Sequence, residues 1–358
     1  MAAIVGCARE HMPHARVAAV GNPGRWNQGL RKSAHLFDAI SWHAYEPDGA
    51  SVNKGGHNNL TDLHQRVSFV AGYGRAVARQ AVAQVGVDLG VAKPILHTEF
   101  GYGLDRPGDC VLDDFLNGAL HGAFHVSRII EAINSPGTFA AITLESFVGG
   151  TPAAGPSVPV DPQAGNRTDN WCGLAVSTVS RAEANRPDLA RVAGTGQLFA
   201  HFAATAFRGD THTRRMRPVA VDDGPELPFS ILGQPSQPCL QAVAFSEPST
   251  PFNSHPGAGA AVLSISVLNI CQGSVMAELQ AAGAKAADAT MYDLLDGGPV
   301  DPGPLHQRGW APLPAEPDVF PWPSGPLTPT TNKIHIDATG QLSMVIPGLT
   351  FAIFEVTA

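Results

Sequence analysis

Pro94-Ile95-Leu96-His97-Thr98-Glu99-Phe100 is a short, largely apolar run that stops at Gly101-Tyr102-Gly103. Its length and its glycine boundary predict a buried strand. The same form recurs on both sides of it. Residues 16–21 make a strand ended by Asn22-Pro23-Gly24, and residues 37–45 make another ended by Glu46-Pro47-Asp48-Gly49. Residues 139–147 make a fourth, leading into a Gly/Pro loop. Between these strands lie helical patterns. One covers about 60–87, with Leu63, Val67, Val70, Val77 and Val85 among its apolar positions. The next covers about 111–134, where Leu112, Phe115, Leu116, Leu120, Phe124 and Ile129 supply an apolar face. Strands alternating with helices predict a parallel sheet with right-handed crossovers. A last helix over 187–206 closes this half.

Beyond it the pattern changes. Short β-rich runs occur at 216–221, 240–245, 261–268, 275–279, 289–294, 333–336, 341–346 and 351–356. Turn-rich loops separate them, which predicts an antiparallel β-sandwich. Residues 297–331 are rich in Pro and Gly and read as an extended loop over that sandwich. The chain therefore divides into 1–206, of α/β class, and 207–358, all-β.

Composition excludes several classes. With 44% hydrophobic and 15% charged residues over 358 positions, the chain is not intrinsically disordered. Its 23 basic against 31 acidic residues lack the basic excess that a sequence-independent grip on nucleic acid needs. No apolar run of about 18 residues is present, so no transmembrane helix is expected. Residues 1–12 do not read as a signal peptide. The five cysteines are scattered and odd in number, which is neither a disulfide framework nor a CxxC metal site. No HExxH, GxxxxGK[ST] or GxSxG motif occurs, so no metal and no cofactor is expected. Two glycosylation triplets, Asn59-Leu60-Thr61 and Asn166-Arg167-Thr168, incline the reading mildly toward an extracellular or secretory location.

In α/β barrels chemistry gathers where strands end. Glu99 lies near the end of its strand and, by strict alternation, shares a face with His97 and Ile95. His43 and Tyr45 sit two apart on one face at the end of theirs, and Glu145 lies near the end of the fourth with Thr143 and Phe147. A strand-end carboxylate beside an imidazole and a phenol suits a glycosidase nucleophile, which must be ionised to attack the anomeric carbon. Hydrogen bonds from Tyr45 and His43 would favour that ionised form and orient it. Trp26 and Trp42 could offer faces to sugar C–H groups, Phe147 could line the site, and Glu145 is a candidate second carboxylate. His97 reads as structural rather than catalytic.

These residues carry a resemblance. Ile40-Ser41-Trp42-His43-Ala44-Tyr45 is similar to strand six, and Pro94–Phe100 to strand seven with its "TE" nucleophile, of the clan A retaining glycoside hydrolases. The arabinofuranosidase-like and xylosidase-like members of that group follow their (β/α)₈ barrel with a β-sandwich. Residues 346–354 and Val267-Leu268-Asn269 resemble that sandwich, and the helix through Arg128-Ile129-Ile130-Glu131-Ala132 resembles the one after strand seven. The resemblance implies a partial barrel, strands five to eight, with Glu99 as nucleophile, Tyr45 and His43 orienting it, and an oligosaccharide or polysaccharide substrate. It also exposes a gap. The acid/base glutamate of the family ends strand four, and strands one to four have no counterpart here. Glu10 falls inside a helix and cannot take that part. A half barrel leaves unpaired strand edges, so a missing N-terminal segment or a partner chain is expected to complete it. The alternatives are a non-catalytic carbohydrate-binding protein and a truncated, inactive homologue.

Overall fold

A computed structural model describes residues 2–48, 63–103, 119–135, 138–142, 176–177, 191–192, 194–208, 212–228, 230–231, 234, 237–246, 262–280, 284–296, 327–337 and 339–357. Four strands, β1 (Ala18–Val20), β2 (Ala39–Asp48), β3 (Ile95–Gly103) and β4 (Phe139–Ile142), form one parallel sheet in sequence order. Before it come α1 (Ala2–His11), and between β1 and β2 α2 (Arg25–Leu30) and a 3₁₀ turn (Arg31–Leu36). Helices α3 (Leu63–Leu89) and α4 (Ala119–Asn134) make the crossovers to β3 and β4. Gly90, at φ 69, stops α3 in the left-handed conformation that suits glycine.

The spacing of Ala81, Val85 and Leu89 puts them on one stripe of α3, which packs on Phe37, Ile40, Trp42 and Ile95 of the sheet side. The end of α3 also organises the chain after β1. Asp88, fully buried, accepts from the backbone N–H of Gly24 at 2.8 Å, just ahead of α2, and from the side-chain amide of Gln84 at 2.8 Å. This carboxylate thus ties the residue ahead of α2 to the end of a helix 64 residues away.

A second sheet is antiparallel and six-stranded, in the order β14 (Pro329–Ile334), β13 (Ala286–Asp293), β16 (Thr350–Thr357), β11 (Val262–Asn269), β10 (Leu240–Ser246), β9 (Arg215–Pro218). A two-stranded ribbon, β12 (Val275–Gln280) with β15 (Gln341–Ile346), lies against it. The register puts Phe245, Ser264, Ser266 and Phe351 on one face. That face meets α5 (Gly194–Ala206): Phe202 approaches Phe245 and Phe351, and the Thr205 and Ser266 hydroxyls are 3.1 Å apart. On the opposite face Val356 and Ala287 pack with Leu342 of the ribbon.

Helices α3 and α4 also join the core of this large sheet, through Ala71, Ala76, Val77, Phe124 and Ile130. Their mutual approach is close enough that a Cβ on Gly74 would land on the Phe124 carbonyl oxygen. Polar clamps fix the docking. Both Glu131 oxygens accept, from Arg75 at 2.8 Å and Arg79 at 2.9 Å, and Arg75 also donates to the Pro238 carbonyl. Burial lowers the Arg75 pKa, opposed by Glu131. Asn134 donates to Ala242 O and accepts from the Val219 N–H.

Three expectations change. The helix expected over 187–206 starts at Gly194. Arg191–Val192, which pairs with Val176–Ser177, is strand instead, because two residues cannot distinguish a helical from an extended period. Within the stretch expected as a loop, Pro329–Ile334 forms β14; Pro329 begins an edge strand, where its missing N–H costs no ladder bond. Cys239 and Cys271 form a disulfide, whereas Cys7 is free and exposed. Leu240 pairs with Asn269, so the antiparallel ladder brings the cysteines flanking that pair to a Cα separation of 5.0 Å.

Candidate active site at the strand ends

The ladder between β2 and β3 runs Ile40 beside Ile95, Ser41 beside Leu96 and Trp42 beside His97. The next pair is His43 with Glu99. Thr98 is out of step, so strict alternation fails at this point. A one-residue shift of this kind reverses which positions correspond across the strands. Glu99 thus stands level with His43, and Gly101 level with Tyr45. The expectation that Glu99 continues the row of Ile95 and His97 gives way to this register.

Burial separates Trp42 from His43. Ile40 and Trp42 are buried toward α3, and His43 is exposed on the other side. Trp42 is therefore part of the hydrophobic core and cannot present its ring to a sugar, which corrects its expected role. The physical cause is parity: Trp42 shares the face of Ile40, whose partners are Val85 and Leu89. Trp26 is placed differently. It follows the end of β1, donates its indole N–H to Val20 O at 2.8 Å, and remains 58% exposed, so its ring face is open. Glu145 and Phe147 lie outside the described residues. Glu10 sits exposed on α1.

Beneath the strand ends lies a pair that sequence reasoning did not assign to the site. Arg128 of α4 is the bulkiest fully buried side chain among the described residues, and its Nη2 is 2.9 Å from His97 Nε2. A guanidinium only donates, so His97 Nε2 must accept, and the ring proton resides on Nδ1. His97 is itself fully buried, with its ring centroid 5.7 Å from that of Phe139. Burial, then the Arg128 charge, then His43, push its pKa down to about 2. His97 is therefore neutral and no proton donor at ordinary pH. No sequence signal marks it: the residues one turn away on α4, Phe124, His125, Glu131 and Ala132, mix apolar, polar and charged types.

Among the described residues no group of three or more His, Cys, Asp or Glu side chains could hold a metal ion, and no helix is long and apolar enough to cross a membrane.

No protein-family model matches the sequence, and no characterised protein matches it at the sequence level. Solved structures do match in fold, and these neighbours are glycoside hydrolases. The family 51 α-L-arabinofuranosidase AbfB of Bifidobacterium longum superposes with a TM-score of 0.54 at 12% identity, over 99% of this chain and 61% of its own. The α-L-arabinofuranosidase of Thermotoga maritima, solved with arabinose, gives 0.54 at 14% over 100% and 61%. The thermostable GH51 enzyme of Thermotoga petrophila RKU-1 gives 0.55 at 14% over 99% and 60%. At such identities the likeness is one of fold. The chain spans about three fifths of the length of these neighbours.

Proposed function

We propose that the chain is the C-terminal portion of a retaining glycoside hydrolase, with Glu99 as its nucleophile. The observation that carries this reading is the shifted register that sets Glu99 level with His43 at the C-terminal end of a parallel sheet, in a fold like that of arabinofuranosidases. Residues 1–206 form strands five to eight of a (β/α)₈ barrel and residues 207–358 its β-sandwich. His43 and Tyr45 orient the carboxylate, the open Trp26 ring receives a sugar face, and Glu145 and Phe147 complete the pocket. Retaining chemistry needs a second carboxyl about 5–5.5 Å from the first. That acid/base group and the remaining strands come from a further segment or a partner chain that adds to the edge of β1, whose Val20 is 69% exposed. The substrate is an oligosaccharide or polysaccharide. The Cys239–Cys271 bridge supports folding in an oxidising, secretory or extracellular setting.

An aryl glycoside with a good leaving group needs little acid assistance and tests the nucleophile alone. The wild-type chain is expected to hydrolyse it and Glu99→Gln to abolish turnover. Undiminished hydrolysis in Glu99→Gln would overturn the assignment. Sugar binding without turnover in the wild type would instead favour a carbohydrate-binding role, for which the exposed Trp26 ring is the supporting feature.

A further inference from the structure

We propose that Asp88 is a positioning residue for an oligosaccharide platform: its buried carboxylate holds the loop after β1 so that the open Trp26 ring stacks on a sugar unit away from the bond that Glu99 breaks. The inference deepens the reading of Trp26 and Glu99 given above, and rests on it for the place of that bond.

Three observations carry it. The first is the ring. Trp26 is 58% exposed, yet its indole N–H is taken by the Val20 carbonyl at 2.8 Å. With the polar atom engaged, what stays open is the π face, whose negative charge density attracts the C–H groups of a sugar. The second is the support beneath it. Asp88, near the end of α3 and fully buried, accepts from the Gly24 N–H at 2.8 Å. Longer contacts reach it from the side-chain amides of Asn27 at 3.4 Å and Gln28 at 3.5 Å. Asn27, fully buried as well, accepts from the Asn22 N–H at 2.9 Å. Gly24, at φ 78, turns the chain in the left-handed region that suits glycine. The residues on both sides of Trp26 are therefore fastened. Arg31 closes the same helix end, donating to the Val87 and Asp88 carbonyls at 2.8 and 3.0 Å. An exposed aromatic on a loop has little packing of its own to hold it, and fixing the loop from below removes the ordering cost that a ligand would otherwise meet. The third is place. Val20 ends β1 level with Ser41 of β2, which is level with Leu96 of β3. The ring thus stands at the C-terminal end of the parallel sheet, the end where Glu99 lies, but two strands across, roughly 10 Å. Glu99 follows three residues beyond the level of Leu96. That offset suits neighbouring units of a bound chain rather than one sugar.

An aspartate that merely ties α2 to α3 would change stability and leave sugar affinity alone, so the test reads affinity. The chain is labelled with 5-fluorotryptophan, and the Trp26 ¹⁹F resonance is identified by its loss in Trp26→Phe. Arabinotetraose, xylotetraose, cellotetraose and galactotetraose are titrated into Glu99→Gln, with the parent monosaccharides beside them. At least one tetrasaccharide is expected to shift the Trp26 line, and its monosaccharide to bind about tenfold more weakly or worse. Trp26→Ala should weaken binding of that tetrasaccharide by about tenfold, and Asp88→Ala, which frees the loop, by nearly as much. In the Trp26→Ala background Asp88→Ala should cost nothing further, because Asp88 acts through the ring. Asp88→Asn keeps an oxygen for the Gly24 N–H and can donate to the amide oxygens of Gln28 and Gln84 once these flip, so it should stay within about twofold of the parent. Where Asp88→Ala does not fold, Asn27→Ala loosens the same loop with Asp88 in place and should show the same weakening, again absent in the Trp26→Ala background. A Trp26 line unmoved by all four tetrasaccharides overturns the proposal, as does a monosaccharide that binds as tightly as its tetrasaccharide. Unchanged affinity in the loosened variants, or additive losses in the double variant, overturns it equally. Hydrolysis of the aryl glycoside keeps the two readings separate. A shifted Trp26 line in a chain without turnover defeats the nucleophile and leaves the platform; turnover abolished by Glu99→Gln with an unmoved Trp26 line defeats only the platform.

Discussion

The neutral His97 ring has a thermodynamic consequence that can be measured on its own. In the unfolded chain this histidine titrates near 6.5; in the folded protein it titrates at about 2. Between those values the unfolded state binds the extra proton, so acid favours unfolding. The stabilisation is complete above pH 6.5 and is lost progressively as pH falls toward 2. The slope is at most about 1.4 kcal/mol per pH unit, so lowering pH from 6.5 to 4.5 costs about 2–3 kcal/mol through this residue alone. Urea unfolding of wild type and His97→Gln across that range should show the loss in the wild type and a flatter profile in the variant. Equal slopes would mean that His97 is protonated in the folded state. Neither His97 as an acceptor nor Arg128 as its donor is legible in the sequence. Nothing in a linear pattern says which strand residue a helical arginine will reach.

Element by element, legibility followed periodicity. The run 341–346 coincides with β15, and the order strand, helix, strand, helix, strand from β2 to β4 matches the periodicity, whereas the short α2 and the 3₁₀ turn between β1 and β2 carry too few residues to show a period. What escaped is what breaks periodicity. The slip at Thr98 has no glycine to mark it, and it decides that Glu99 rather than Thr98 stands beside His43. Trp42 escaped for a related reason: a period of two says that alternate residues share a face, not which face is buried. The approach of α3 to α4 makes a sharper test of element packing. Gly-to-Ala changes inside helices usually stabilise by about 1 kcal/mol. Gly86→Ala, where a Cβ meets nothing within 4 Å, should do so. Gly74→Ala, on the same helix, should instead lose about 1–3 kcal/mol by overpacking against the Phe124 carbonyl. Opposite signs in chemical denaturation would establish that this helix contact is set by the absence of a side chain; matching signs would refute it.

At the level of the whole molecule, the disulfide joins residues 32 apart in sequence across the β10–β11 ladder. At that separation no local spacing marks the pair in the sequence. By the chain-entropy argument, closing such a loop contributes about 3–4 kcal/mol. The double variant Cys239→Ala/Cys271→Ala should show that loss in denaturant midpoint, and added reductant should reproduce it in the wild type. An unchanged midpoint in both would show that the bridge adds nothing to stability.

Asn134, the final residue of α4, donates to the Ala242 carbonyl of the large sheet and accepts from the N–H of Val219, just past the end of β9. Six residues earlier the same helix carries Arg128. The antiparallel sheet thus serves as a jig. It pairs with no strand of the parallel sheet, yet it sets the pitch and roll of the rod on which the buried guanidinium is mounted. A change made for solubility on that distant sheet, if it tilts α4, will be read as a change in alignment at His97.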